Sequence, residues 1–141
     1  MAFVPIGGFP DSGLKEVTVT AGTAIATGDM LVINGNVMQR ATSAATIHTI
    51  YGVAAETIST SATKILVQPI IQGQEWEVDT ASNTDATELY ESMVLTDHDT
   101  VNNTDTDSTG DTAVFFCTAL KGVTGDKKLI GEFTRLQSTS T

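Results

Sequence analysis

The sequence predicts an all-β protein: a compact, single-domain β-barrel or sandwich of about nine short strands, with one short helix and an N-terminal arm. Three observations carry this. Thr, Val and Ile recur in short runs bounded by Gly, Asn and Asp. Several runs alternate apolar and polar residues with the period of a half-buried strand. The length, 141 residues with 40% hydrophobic composition, suits one domain with a real core.

The elements follow in order. Residues 1–13 hold two of the three prolines, a Gly-Gly pair and the apolar side chains Phe3, Val4, Ile6 and Phe9. They are too irregular for a helix and too apolar for a plain tail. Two readings stand side by side, an arm lying on a partner subunit or a strand-like lead-in packed on its own barrel. Residues 14–136 form the domain. Leu14–Ala21 alternates as a strand, Gly28-Asp29 makes a turn, and Met30–Ile33 is a short apolar strand. Asn34-Gly35 between two apolar runs predicts a tight hairpin with a type I′ turn. Thr49–Ile58 is a further strand with Gly52 at a bulge. Thr63–Ile71 is mostly apolar, so it is buried on both faces or sits at a subunit contact. Pro69 places that strand at an edge or ends it. Gly73–Val78 alternates around Trp76. Asn83–Met93 is the helix candidate, capped by Asn83 or Thr84. Thr112–Gly122 and Lys127–Leu136 read as the last two strands, and 137–141 as a frayed tail.

Net charge is −10, and its distribution is uneven. Between Lys64 and Lys121 there is no basic residue, while Glu75–Asp111 carries eleven acids. A nucleic-acid surface needs the opposite sign, so no nucleic-acid partner is expected. No segment approaches the roughly 20 apolar residues of a membrane helix, and the N-terminus lacks the features of a signal peptide. Synthesis in a cytoplasm and no membrane partner are the resulting expectations. Cys117 is the single cysteine, which excludes an intrachain disulfide framework.

The acidic stretch 96–111, TDHDTVNNTDTDSTGD, is the one place where a metal or catalytic site suggests itself. A calcium loop begun at Asp105 matches Asp107, Thr109 and Gly110, then fails because its twelfth position is Phe116. Strand alternation would point Asp97, His98 and Asp99 to opposite faces, so they should not converge on a transition metal. Glu75 and Glu77 share a strand face, where neighbouring acids are usually solvated rather than a glycosidase pair. Cys117 lies in an apolar run and reads as a buried, inert thiol. No nucleophile elbow, phosphate loop or dinucleotide fingerprint is present. The stretch therefore reads as a hydrated loop turned to solvent. No enzyme activity, cofactor or metal is expected.

One resemblance goes further. Ala21, Gly22, Ile25, Gly28 and Asp29, then Gly52-Val53-Ala54, then the strand Ile65–Ile70 resemble segments of tailed-bacteriophage head decoration (capsid cement) proteins. It covers residues 17–80 well and 92–134 more loosely, with no counterpart for 83–111. The resemblance implies a virion structural protein on the outer surface of an icosahedral head. It would bind the major capsid protein as a homotrimer at local three-fold positions. Phe3, Val4, Ile6 and Phe9 are then the candidate capsid contacts. The strand residues Ile65, Val67, Pro69, Ile70 and Ile71 are the candidate oligomer interface. The more basic C-terminal strands would face the capsid. The alternative from another class is a receptor- or glycan-binding β module of a virion, which a calcium requirement would favour.

Overall fold

The structure, a computed structural model, describes residues 2–7, 13–104 and 110–136. Phe9, residues 105–109 of the acidic stretch and the 137–141 tail lie outside the described residues.

The fold is nearly all β: two antiparallel sheets that share one core. The strands are β1 (Phe3–Gly7), β2 (Lys15–Thr18), β3 (Met30–Asn34), β4 (Val37–Arg40), β5 (Ile50–Ala54) and β6 (Lys64–Pro69). They continue as β7 (Glu75–Asp79), β8 (Ser92–Asp97), β9 (Thr100–Asn102), β10 (Phe115–Leu120) and β11 (Lys128–Phe133). One sheet runs β1-β7-β11-β10-β8-β9 and the other β2-β6-β5-β3-β4. The sheets do not close into a barrel, so the sandwich half of the expectation holds.

The main core lies between the sheets. Trp76, Val78, Met93, Leu95, Phe115, Leu129 and Phe133 face Met30, Ile50, Val53 and Ile70 across it. Phe133 is its hub, with ring centroids 5.1 Å from Phe3, 5.2 Å from Phe115 and 5.8 Å from Trp76. Such pairs each add about 0.5–1.5 kcal/mol beyond their buried area. A second cluster sits on the other side of the five-stranded sheet: Val19, Ile25, Leu31, Ala54, Ile65 and Val67. The sheet curls around it until its edges meet at a single bridge, Val19 to Met38.

This curl corrects the reading of the strand around Ile65–Ile71. Ile65 and Val67 are 1% and 0% exposed, inside the curl, and Ile70 is buried in the main core. The run is apolar because both its faces are covered within the chain. These three side chains are thus core residues and have no free surface for a subunit contact. Pro69 ends β6, which is an interior strand.

The N-terminal segment is likewise part of the domain. β1 is an edge strand paired with β7, and Phe3, at 1% exposure, is a core residue rather than a partner contact. The Phe3 N–H turns away from β7 and donates to Gly28 O at 3.0 Å. By alternation the Pro5 nitrogen faces the same way, where the ladder requires no donor.

Three local expectations shift. The hairpin forms, but β3 and β4 pair Asn34 with Val37, so the turn residues are Gly35 and Asn36. Only Gly35 (φ 63°) has positive φ there. Type I′ requires two such residues, whereas a type II′ turn takes Gly first. The helix at 83–93 shrinks to one 3₁₀ turn, Ala86–Glu88, capped by Asp85 rather than Asn83 or Thr84. It stops because Leu89 leaves helical geometry and Tyr90 donates to Cys117 O, drawing the chain into β8. Finally, half of the acidic stretch is a hairpin. β8 and β9 are joined by His98-Asp99, with Thr100 and Val101 buried.

At Gly52 the bulge is present. Leu31 pairs with Gly52 and Val32 with Ile50, leaving Tyr51 as the extra residue. A Cβ on Gly52 would lie 2.5 Å from Gln68 O, so only glycine fits between β5 and β6.

Candidate interaction surfaces and the Asp29–His98 cluster

Among the described residues, three of the exposed apolar side chains lie toward the N-terminus. Val4 and Ile6 are each 46% exposed and Leu14 is 52% exposed. Val4 and Leu14 line a groove of 280 Å³ whose walls also include Phe3, Pro5, Val53 and Trp76. β1 is the outermost strand of its sheet, and while Phe3 turns into the core, Val4 and Ile6 stay exposed. Of the expected capsid contacts, Val4 and Ile6 are therefore surface residues and Phe3 is not. Of the expected oligomer contacts, only Ile71 is exposed, with Pro69 half-buried.

The basic C-terminal strands do not form an open positive patch. Lys128 Nζ lies 2.6 Å from Asp79 Oδ1 and 3.6 Å from Glu77, and Lys121 lies 3.6 Å from Glu77. The hydrogen bond to Asp79 holds the Lys128 ammonium above its ordinary range, against some desolvation. β7 and β11 are neighbours in antiparallel register, which sets these acids beside these lysines.

Asp97, His98 and Asp99 behave differently from the expectation of divergence. The strand ends at Asp97 and His98-Asp99 form the turn, so period-two alternation no longer applies. His98 Nδ1 lies 3.0 Å from Asp29 Oδ1 and 4.0 Å from Asp99 Oδ2. Asp29, His98 and Asp99 thus bring three potential metal ligands within 4.8 Å. Sequence reasoning missed Asp29, 69 residues from His98. The sequence placed it in a glycine turn and in the resembling segment, with nothing to pair it with His98.

The hydrogen bonding argues for a polar clamp rather than a metal centre. Arg40 Nη1 lies 3.3 Å from His98 Nε2. A guanidinium only donates, so Nε2 accepts and the ring proton sits on Nδ1, where it is donated to Asp29. Asp29 is almost fully buried, and its second oxygen accepts from Ala26 N at 2.9 Å. A metal on Nδ1 would displace that proton and leave Arg40 facing an N–H. Around the clamp, burial works against the Asp97 charge. Hydrogen bonds from the Asp99 side chain and backbone, with His98 and Arg40 nearby, outweigh it and keep the carboxyl below its usual value. Asp99 moves the other way, pushed up by burial and by its hydrogen bond with Asp97. An open cleft of 440 Å³ lies beside these groups, lined by Thr23, Gln39, Thr42 and Ser43 among others. Nothing in it pairs a nucleophile with His98.

Cys117 is fully buried, and burial raises its thiol pKa, as the apolar run around it foretold. Among the described residues no helix is long and apolar enough to cross a membrane.

The chain matches no model of a known protein family and no curated protein sequence.

Proposed function

We propose that this chain is a capsid-decoration protein that binds the outer surface of a bacteriophage head and stabilises it across major capsid protein subunits. The observation that carries the reading is the exposed apolar surface of Val4 and Leu14 at the groove, with Ile6 exposed on the same strand as Val4, on a body of net charge −10. A protein of this kind needs a small apolar anchor, because burial of apolar area supplies the affinity. The acidic remainder keeps the free protein soluble and sets orientation by repulsion or complementarity. The resemblance to cement proteins across residues 17–80 points the same way.

In this reading the protein is made in the host cytoplasm and joins the virion from outside. It acts as a homotrimer, with Ile71 and Pro69 as the surviving interface candidates of their strand. It performs no catalysis, takes no cofactor, and has no nucleic-acid or membrane partner. Binding is additive: each copy joins neighbouring subunits and raises the temperature at which the shell comes apart.

Co-sedimentation with purified heads stripped of the protein tests this. Wild-type protein should saturate discrete positions and raise the melting temperature of the heads. A double substitution, Val4→Asp with Ile6→Asp, should retain the fold and lose most of the occupancy. Failure of the wild-type protein to bind heads would overturn the reading.

A further inference from the structure

Among the described residues, Tyr90 and Phe116 are the large aromatic side chains that the core does not account for. They are 65% and 37% exposed, with ring centroids 6.5 Å apart and planes inclined by 30°. The arrangement is an offset, nearly parallel pair, a stepped apolar platform on the outer face of the six-stranded sheet.

Tyr90 occupies this place at a cost. Its φ of 63° is the only positive value at a non-glycine residue among the described residues. Bulky side chains rarely adopt that region, and glycine would do so freely. Its N–H donates to Cys117 O at 2.8 Å, which fixes the backbone. A tyrosine held where glycine is favoured directs attention to what the side chain does.

Phe116 also forms one wall of a cleft of 240 Å³. The cleft is lined by Gln72, Glu132, Thr134 and Arg135, which supply an amide, a carboxylate, a hydroxyl and a guanidinium. Glu132 is the direct cross-strand partner of Phe116. Arg135 is braced: its Nε donates to Ile50 O at 3.1 Å, and its guanidinium lies 5.1 Å from the centre of the Tyr51 ring. Among the described residues nothing holds the terminal nitrogens of the fork, which leaves them to serve the cleft.

We propose that Tyr90, Phe116, Gln72, Glu132 and Arg135 form a binding site for neutral saccharides. A pyranose ring has an apolar C–H face and a rim of hydroxyls that both donate and accept. The aromatic platform suits the face, and planar groups of opposite charge suit the rim. An anionic ligand would meet Glu132 and a cationic one Arg135, so the balance favours an uncharged ligand. The cleft is shallow and below the roughly 300–1,000 Å³ of drug-sized sites, which fits one or two rings of a chain lying across the surface. A peptide strand added to the sheet would pair at β1 or β9, the sheet edges, not on this face.

The site stands apart from the capsid reading, since it uses neither Val4 nor Ile6. The test is a glycan array carrying neutral bacterial and mammalian oligosaccharides, followed by saturation-transfer NMR on the glycans bound. Wild-type protein should bind a subset of the array, with saturation reaching ring C–H protons. Tyr90→Gly, which relieves the backbone and so keeps the fold, should weaken binding at least tenfold. Glu132→Gln should weaken it while leaving the C–H transfer in place. No array binding by folded wild-type protein would overturn the proposal, as would undiminished binding by the Tyr90→Gly variant. Loss of head occupancy in that variant, without array binding by the wild type, would assign the aromatic pair to the capsid instead.

Discussion

The imidazole of His98 donates to the carboxylate of Asp29 across 3.0 Å, and in doing so fastens the β8–β9 turn of one sheet to the start of β3 in the other. The backbone repeats the connection, with Met30 N donating to His98 O at 2.6 Å. His98→Ala removes the charge-assisted partner of a buried carboxylate and should cost about 1.5–3 kcal/mol. Urea denaturation measures it. A loss no larger than that of an exposed substitution would mean that the clamp is incidental.

Asp99 gives the opposite sign. Its carboxyl is raised by burial and by Asp97, so its charged form costs stability at neutral pH. That cost is relieved as the pH falls through its folded pKa. Asp97 is depressed, so its contribution is present above the ordinary 3.8 and lost as the pH falls through its folded value. Stability should therefore rise slightly on mild acidification before it drops. Asp99→Asn, whose amide can donate to Asp97, should be stabilising by up to about 1 kcal/mol at neutral pH and should abolish the rise. Denaturation midpoints across the acid range check both.

Two glycines separate conformation from space. Gly52→Ala puts a methyl against Gln68 O and Val67, both fixed by β6, and should destabilise by roughly 1–3 kcal/mol. Gly35→Ala meets nothing within 4 Å, so it bears only the positive-φ penalty, about 1 kcal/mol. Equal losses at the two sites would contradict the close approach at β5 and β6.

β1 should divide by side of the strand. Phe3→Ala empties a site beside Phe133 and should cost about 3–5 kcal/mol. Val4→Asp, on the exposed side, should change the melting temperature little and, in the proposed decoration role, act on head binding alone. Thermal melts and co-sedimentation of the two variants distinguish a core strand with an outward contact from an arm.

The all-β class, the hairpin near Asn34-Gly35, the bulge at Gly52 and the buried Cys117 were legible, because each rests on short-range chemistry. The rest depended on partners distant in sequence. Nothing local says that Phe3 meets Phe133, or that Ile65 and Val67 are enclosed by a curled sheet. An apolar run looks the same whether a neighbouring strand or another subunit covers it. The divergence expected of Asp97, His98 and Asp99 assumed a continuous strand. Val101 completing a second short strand made His98-Asp99 a turn instead. Asp29 became part of that cluster only through the packing of one sheet on the other. Tyr90 was hidden inside a helix pattern whose capping box, Asp85 with Glu88, is real but closes only a single turn.

The outward flank of β1 bears on self-association. Phe3 has already given its N–H to Gly28, and Pro5 has none to give. The opposite end of that sheet is a strand of three residues, and the edges of the other sheet meet each other at Val19 and Met38. Each flank is thus blunted as a template for zipping one copy to the next. Strand-to-strand growth of copies into fibres is disfavoured in this way, whatever the concentration the protein reaches.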